Sequence, residues 1–73
     1  PRPHEVRGIV ERYLRGTGCD QIQLLSSDSE LDAEDVEVRV EAMNQGLCIK
    51  GRVHVVGTEI REVGFDNTHK LFP

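Results

Sequence analysis

Residues 36–56 read VEVRVEAMNQGLCIKGRVHVV and hold the clearest pattern in the chain. In residues 36–43, small apolar residues alternate with mostly charged ones, which predicts a strand with one buried face and one exposed face. The alternation resumes in residues 47–56, so a second strand with the same two faces is expected. Asn44 and Gly46 lie between these runs and favour a turn. Residues 36–56 therefore predict an antiparallel β-hairpin.

The apolar faces of the two strands also suggest which residues pair. Inward residues face each other only when an even number of residues separates the paired positions, because a slip of one residue turns a whole strand over. The pairs expected from this rule are Ala42 with Leu47, Val40 with Ile49 and Val36 with Val53. The same register sets Glu37 opposite Arg52 on the exposed face, as an attractive cross-strand pair.

Residues 59–65 are the expected last strand. They follow a tight turn that begins at Gly57, where glycine suits the first position of a type II′ turn. Strict alternation after this turn would bury Glu62. We therefore expect a β-bulge at Arg61 and Glu62, which returns Val63 and Phe65 to the core.

The first strand has the weakest pattern. Residues 19–26 read CDQIQLLS, in which Ile22 and Leu24 share one side. The connection that follows is long enough to reach either edge of the later strands, and both placements stay open. Residues 66–73 carry no regular pattern and are expected to form an irregular tail.

Residues 3–16 predict an amphipathic helix. Apolar side chains recur at the spacing of one helix face, at Val6, Ile9, Val10, Tyr13 and Leu14. Pro3 suits the first turn of a helix, and Gly16 suits its end. Gly8 costs about 1 kcal/mol of helix stability relative to alanine, and we expect it to mark a close approach of the helix to the sheet.

Together these elements predict an α+β fold with the order α-β-β-β-β. The N-terminal helix is expected to pack on one face of a four-stranded, mainly antiparallel sheet, which gives a two-layer architecture. A chain of 73 residues is too short to build a second hydrophobic core. Residues 1–73 are therefore expected to form a single domain.

Negative charge is concentrated in the middle of the chain. Residues 20–41 carry eight acidic residues and one arginine, within a net charge of −4 for the whole chain. A polar loop is expected at 27–35. It is expected to contain a short helical turn over 29–34, capped by Asp28 or Ser29.

The acidic residues of this loop alternate as they do in a calcium-binding loop. Ala33 and Arg39, however, occupy the positions where an EF-hand requires glycine and a bidentate glutamate, so calcium binding is not expected. We expect instead an acidic surface that recognises a partner. Its candidate residues are Asp28, Glu30, Asp32 and Glu34.

No metal, cofactor or catalytic group is expected. Cys19, Cys48 and the three histidines show no zinc-ligand spacing, and no nucleophile stands in a recognisable motif with a base. The cysteines are expected to be free thiols, which favours a location in the cytoplasm. The chain has no apolar run of the length that spans a membrane.

The sequence favours a non-enzymatic protein-interaction or regulatory module. A helix over 3–16 would be about 21 Å long and would leave part of the sheet uncovered. We therefore expect a homodimer, or a complex with another protein. Leu71 and Phe72 are expected to complete the core or the interface.

A nucleic-acid-binding module is the alternative. Its candidate residues lie on the exposed side of the sheet, and they are Lys50, Arg52, His54 and Arg61. Against this alternative stand Glu37, Glu41 and Glu59 on the same side, and a pI near 5.2. A small enzyme ranks third, because one helix and one sheet leave little room for a cleft.

Overall fold

The computed structural model of this protein describes residues 3–66. Its elements, in chain order, are α1 (Pro3–Gly16), β1 (Cys19–Leu24), α2 (Asp28–Leu31), β2 (Asp35–Asn44), β3 (Leu47–Val56) and β4 (Glu59–Asp66). The strands form one four-stranded antiparallel sheet in the order β1-β2-β3-β4. The predicted α+β fold is confirmed, and the open question of the first strand is answered, since β1 joins the β2 edge.

The core lies between the two helices and the inner face of the sheet. Val6, Val10 and Leu14 of α1 are buried, and α1 packs against β1 and α2. Leu31, the last residue of α2, is fully buried. The sheet contributes alternating residues of its two central strands, namely Val36, Val38, Val40, Ala42, Val53 and Val55. The inward face inferred from the alternation of residues 36–56 is therefore the buried one.

Gly8 does not lie against the sheet. A Cβ atom built on Gly8 would meet only Nη1 of Arg12, at 3.8 Å. The expected close approach of helix and sheet at this residue is therefore wrong. The buried residues of α1 recur every four positions, at Val6, Val10 and Leu14, and Gly8 lies off that row.

The hairpin of β2 and β3 has a different register from the predicted one. Asn44 pairs with Leu47, so only Gln45 and Gly46 form the loop, with positive φ angles of 54° and 81°. Two positive φ angles are typical of a type I′ turn, whose twist matches that of the strands. The observed pairs are Ala42 with Ile49, Val40 with Gly51, and Val36 with Val55.

The predicted pairs Ala42–Leu47, Val40–Ile49 and Val36–Val53 are therefore wrong, because Asn44 extends the strand instead of entering the turn. A shift by an even number of residues keeps each side chain on its own face, so the inward residues remain inward. The cross-strand partners change. Glu37 faces His54 and not Arg52, and Arg52 faces Arg39.

The hairpin of β3 and β4 follows the prediction. Val56 pairs with Glu59 across Gly57 and Thr58, and Gly57 has a positive φ of 63°. The register then shifts, because Val55 pairs with Ile60 while His54 pairs with Glu62. Arg61 is the extra residue, so the expected β-bulge at Arg61 and Glu62 is confirmed.

β1 is a short and irregular edge strand. Its register shifts between Asp20 and Gln23, and Gln21 has a positive φ of 50°. It ends at Leu24, before the predicted limit of residue 26. Beyond it, the Leu25 amide donates to the Arg39 carbonyl at 2.7 Å. At the next residue a side chain replaces the backbone as hydrogen-bond acceptor, since Oγ of Ser26 accepts from the Arg39 amide at 3.0 Å.

At the other end of the described range, β4 extends through Asp66, which the sequence assigned to the irregular tail. The rest of that expected tail, 67–73, lies outside the described residues. In the part of the chain that is described, no helix is both long enough and apolar enough to cross a membrane.

Candidate interaction surfaces

The acidic segment between β1 and β2 is organised by a capped helical turn. Ser27 is the N-cap of α2, because its Oγ accepts from the Glu30 amide at 3.3 Å. In return, the Ser27 amide donates to Oε1 of Glu30 at 2.8 Å. This reciprocal arrangement is a capping box. The expected short helical turn is present, but it lies at Asp28–Leu31 and not at 29–34. The expected cap at Asp28 or Ser29 is wrong, although a serine followed three residues later by a glutamate was visible in the sequence.

Two arginines hold this segment against the rest of the domain. Arg7 of α1 donates from Nε to Oδ1 of Asp28 at 3.2 Å, and its Nη2 reaches the Ser26 carbonyl at 3.4 Å. Arg39 of β2 pairs with Oε1 of Glu30 at 3.1 Å. Two of the predicted recognition residues, Asp28 and Glu30, thus hold the segment in place.

Glu30 is stabilised in its ionised form. The hydrogen bond from the Ser27 backbone is the main cause, and the nearby Arg39 guanidinium adds to it, so that the pKa of the Glu30 carboxyl lies below its ordinary value. The capping box and the ion pair therefore persist at a pH where an ordinary glutamate begins to take up protons.

The remaining acids form an exposed group, which we name the acidic tip and define as Asp32, Glu34 and Asp35. Asp32 and Glu34 are exposed and form no ion pair within residues 3–66. Asp35 contacts Nε2 of His54 through Oδ1 at 2.6 Å, and its side chain stays 68% exposed. The acidic tip follows directly after Leu31, which anchors the segment in the core.

The candidate nucleic-acid residues of the outer sheet face lie beside carboxylates. Lys50 pairs with Glu41, at 3.6 Å between Nζ and Oε2. Arg52 lines a shallow hollow of about 260 Å³, together with Glu37, His54, Glu62, Val63 and Gly64. Because acidic residues adjoin these cations, the outer face is mixed in charge. Arg61 stands apart from them, at the β-bulge of the last strand.

The outer face also contains a like-charge pair that the sequence did not predict. Arg39 and Arg52 are direct cross-strand partners, an arrangement that costs energy unless other groups neutralise it. Arg39 is neutralised by Glu30. Both arginines border a second shallow hollow of about 320 Å³, which Leu25, Lys50 and Asp66 also line. The incorrect register concealed this pair, since it placed Glu37 opposite Arg52.

The inner face is covered incompletely at the β3 and β4 side. Helix α1 packs against β1 and α2, and Leu47 and Phe65 remain 65% and 44% exposed. Three other apolar residues on this side are only partly buried, namely Ile49, Ile60 and Val63. Leu71 and Phe72, the residues predicted to complete the core or an interface, lie outside the described residues.

Among the described residues, the cysteines and histidines do not form a group. Cys19 is a buried free thiol at the start of β1, and Cys48 is an exposed free thiol on β3. Within residues 3–66, no three or more His, Cys, Asp or Glu side chains are grouped so that they could hold a metal ion.

The chain was compared with models of protein families, with curated proteins and with solved structures, and none of the three comparisons found a match.

Proposed function

We propose that this protein is a non-enzymatic interaction module whose acidic tip binds a basic surface of another protein. One observation carries the proposal. The segment before the tip is fixed by a capping box, two ion pairs and the buried side chain of Leu31, whereas Asp32 and Glu34 are left exposed.

A fixed segment of this kind suits recognition for a physical reason. Binding a partner orders side chains and loops, and that ordering weakens affinity. A segment that is already held in one conformation loses less entropy when it binds. The net charge of −4 and its concentration near the tip also favour encounter with cationic surfaces, because opposite charges accelerate association.

The free cysteines support a reducing location for this module. Cys19 lies on the buried side of the sheet and Cys48 is exposed. An exposed thiol persists in the cytoplasm, where glutathione keeps cysteines reduced. We infer a cytoplasmic protein on this ground.

The proposal is tested with an oligo-arginine peptide as the probe, titrated into the isotope-labelled protein and followed by NMR. The expected result is a set of shift changes centred on 32–35 that diminish with added salt. The double variant Asp32→Asn, Glu34→Gln is expected to bind the peptide roughly fivefold more weakly. Asp20→Asn, which removes one exposed negative charge on β1, is the control and is compared also with each single variant of the tip. Equal loss of affinity in the control and the double variant would contradict a role specific to the tip.

A nucleic-acid-binding function is the second candidate, and the pair of Arg39 and Arg52 favours it. Arg52 forms no ion pair among the described residues, so it offers a cationic group to a phosphate beside Arg39, whose own charge is paired with Glu30. Fluorescence anisotropy with a single-stranded oligonucleotide tests this candidate. Affinity that falls steeply with salt and is weakened by Arg52→Glu would support it. Binding that is insensitive to salt would exclude phosphate contacts.

A further inference from the structure

One edge of the sheet is formed by β4. β4 is the last strand of the sheet order, so one side of its backbone has no strand partner among the described residues. The pair Asn44–Leu47 flanks a two-residue loop and is therefore a hydrogen-bonded pair. In an antiparallel ladder, hydrogen-bonded and non-hydrogen-bonded pairs alternate. Every second residue of β3, beginning with Leu47, therefore directs its backbone amide and carbonyl groups towards β2. The β3 residues between them direct their backbone groups towards β4 instead. They are His54, Arg52 and Lys50, whose partners on β4 are Glu62, Gly64 and Asp66. It follows that Val63 and Phe65 direct their amide and carbonyl groups to the free edge.

β4 is only partly protected against pairing at its edge. Its sequence, EIREVGFD, contains neither lysine nor proline, the residues that most often block pairing at an exposed edge. The bulge at Arg61 disturbs the start of the strand, but residues 62–66 pair regularly with β3. The partly buried Val63 and the 44% exposed Phe65 also bring apolar surface to this edge.

The charges along β4 select a second copy of the same strand as the partner. Arg61 and Asp66 form no ion pair within the described residues, and they stand near opposite ends of the strand. An antiparallel arrangement with its two-fold axis at Val63 sets Arg61 opposite the partner's Phe65 and one position along the strand from the partner's Asp66, twice by symmetry. The same arrangement sets Glu62 opposite the partner's Gly64.

Neighbouring registers are less favourable. A two-fold axis at Gly64 would set Glu62 opposite the partner's Asp66, and an axis at Glu62 would set two Glu62 carboxylates against each other. Like charges directly opposite each other destabilise a pair of strands. Among these three registers, the one centred on Val63 alone avoids opposed carboxylates.

We propose that β4 pairs with β4 of a second copy around a two-fold axis at Val63, which joins the two sheets into one. Backbone hydrogen bonds at Val63 hold the pair together, the Arg61–Asp66 ion pairs strengthen it, and the opposed carboxylates of the neighbouring registers disfavour a shift. The two Val63 side chains meet on the inner face, on the side that α1 leaves uncovered. This inference goes beyond the binding proposed for the acidic tip and is independent of it, because it uses residues that the acidic tip does not include.

The test is the solution mass of the full chain, measured by light scattering and sedimentation with reductant present. The expected wild-type species is a dimer. Arg61→Glu and Asp66→Arg are each expected to weaken dimerisation about 30-fold, because each change turns two attractive pairs into two repulsive ones. An equimolar mixture of the two variants is expected to recover the dimer, since each copy then supplies the charges that the other needs. Asp20→Arg on the opposite edge strand is the control and should leave the mass unchanged.

Hydrogen exchange supplies an independent readout. The Val63 amide should become more protected as protein concentration rises, because it is hydrogen bonded only in the dimer. The proposal would be overturned if the wild type were a monomer, or if neither charge reversal weakened its dimerisation. Recovery in the mixture also shows that both variants fold. If the protein is a monomer that still binds the oligo-arginine peptide at residues 32–35, the proposed function stands and only the β4 pairing fails.

Discussion

Replacing Gly51 with alanine tests how closely β4 approaches β3. Gly51 is buried and pairs with Phe65. A Cβ atom at this position would lie 2.5 Å from the Gly64 carbonyl oxygen, 2.6 Å from Cδ1 of Phe65 and 3.0 Å from its Cα. Two of these atoms belong to the backbone of β4, so a rotation of the phenyl ring cannot relieve the clash. β4 itself must move away.

The expected cost is that of inserting a methyl group into a filled space. Overpacking of this kind destabilises proteins by about 1–3 kcal/mol. Alanine in a strand would otherwise be favoured over glycine by roughly 0.5–1 kcal/mol. We therefore expect Gly51→Ala to lower the free energy of unfolding by about 1–2 kcal/mol. For a domain of this size, that loss lowers the melting temperature by roughly 10 °C.

Gly64 provides a matched control on the neighbouring strand. It pairs with Arg52, and a Cβ atom built on it would meet nothing within 4 Å. Gly64→Ala is expected to be neutral or stabilising by up to about 1 kcal/mol. Urea unfolding followed by circular dichroism compares the two variants. If Gly51→Ala were as stable as Gly64→Ala, the close packing of β4 on β3 would be refuted.

The other predictions concern the helices. Gly8→Ala should raise the free energy of unfolding by about 1 kcal/mol, since the new methyl group meets only Arg12; a loss of stability would mean that this side of α1 is buried. Ser27→Ala should lower it by about 1 kcal/mol through loss of the α2 cap, and an unchanged urea midpoint would rule out the capping box. The lowered pKa of Glu30 predicts a contribution to stability that is present above the ordinary glutamate pKa and lost as pH falls through the lowered value. The wild type and Glu30→Gln should therefore differ in urea midpoint at neutral pH and converge in acid, whereas a difference that is constant with pH would contradict the prediction.

Local periodicity accounts for the parts of the fold that were predicted correctly. The side-chain period of two in residues 36–56 identifies the buried face whatever the register, and Val38, Val40 and Val53 are buried as expected. The β-bulge could also be inferred, because unbroken alternation would bury the charge of Glu62. Each of these predictions depends only on neighbours along the chain.

The predicted hairpin register and the predicted cap of α2 were wrong because single residues were assigned to the wrong turn or helix end. Asn44 extends β2, and Gln45 takes the left-handed conformation at φ 54°, which glutamine adopts less readily than asparagine. Residue preferences therefore pointed to a longer turn than the one observed. The difference altered every cross-strand partner of the hairpin and brought Arg39 opposite Arg52.

The candidate surfaces were predicted in composition but not in geometry. The sequence by itself determined that an acidic segment lies between the first two strands and which residues of β2 and β3 face outward, because both follow from the order and period of residues. Only the tertiary structure decided which acidic residues of this segment form ion pairs and which do not. Arg7 is distant in sequence from Asp28, and packing of α1 on α2 brings them together. The edge position of β4 was decided in the same way, since the order of strands in a sheet depends on contacts between segments far apart in the chain.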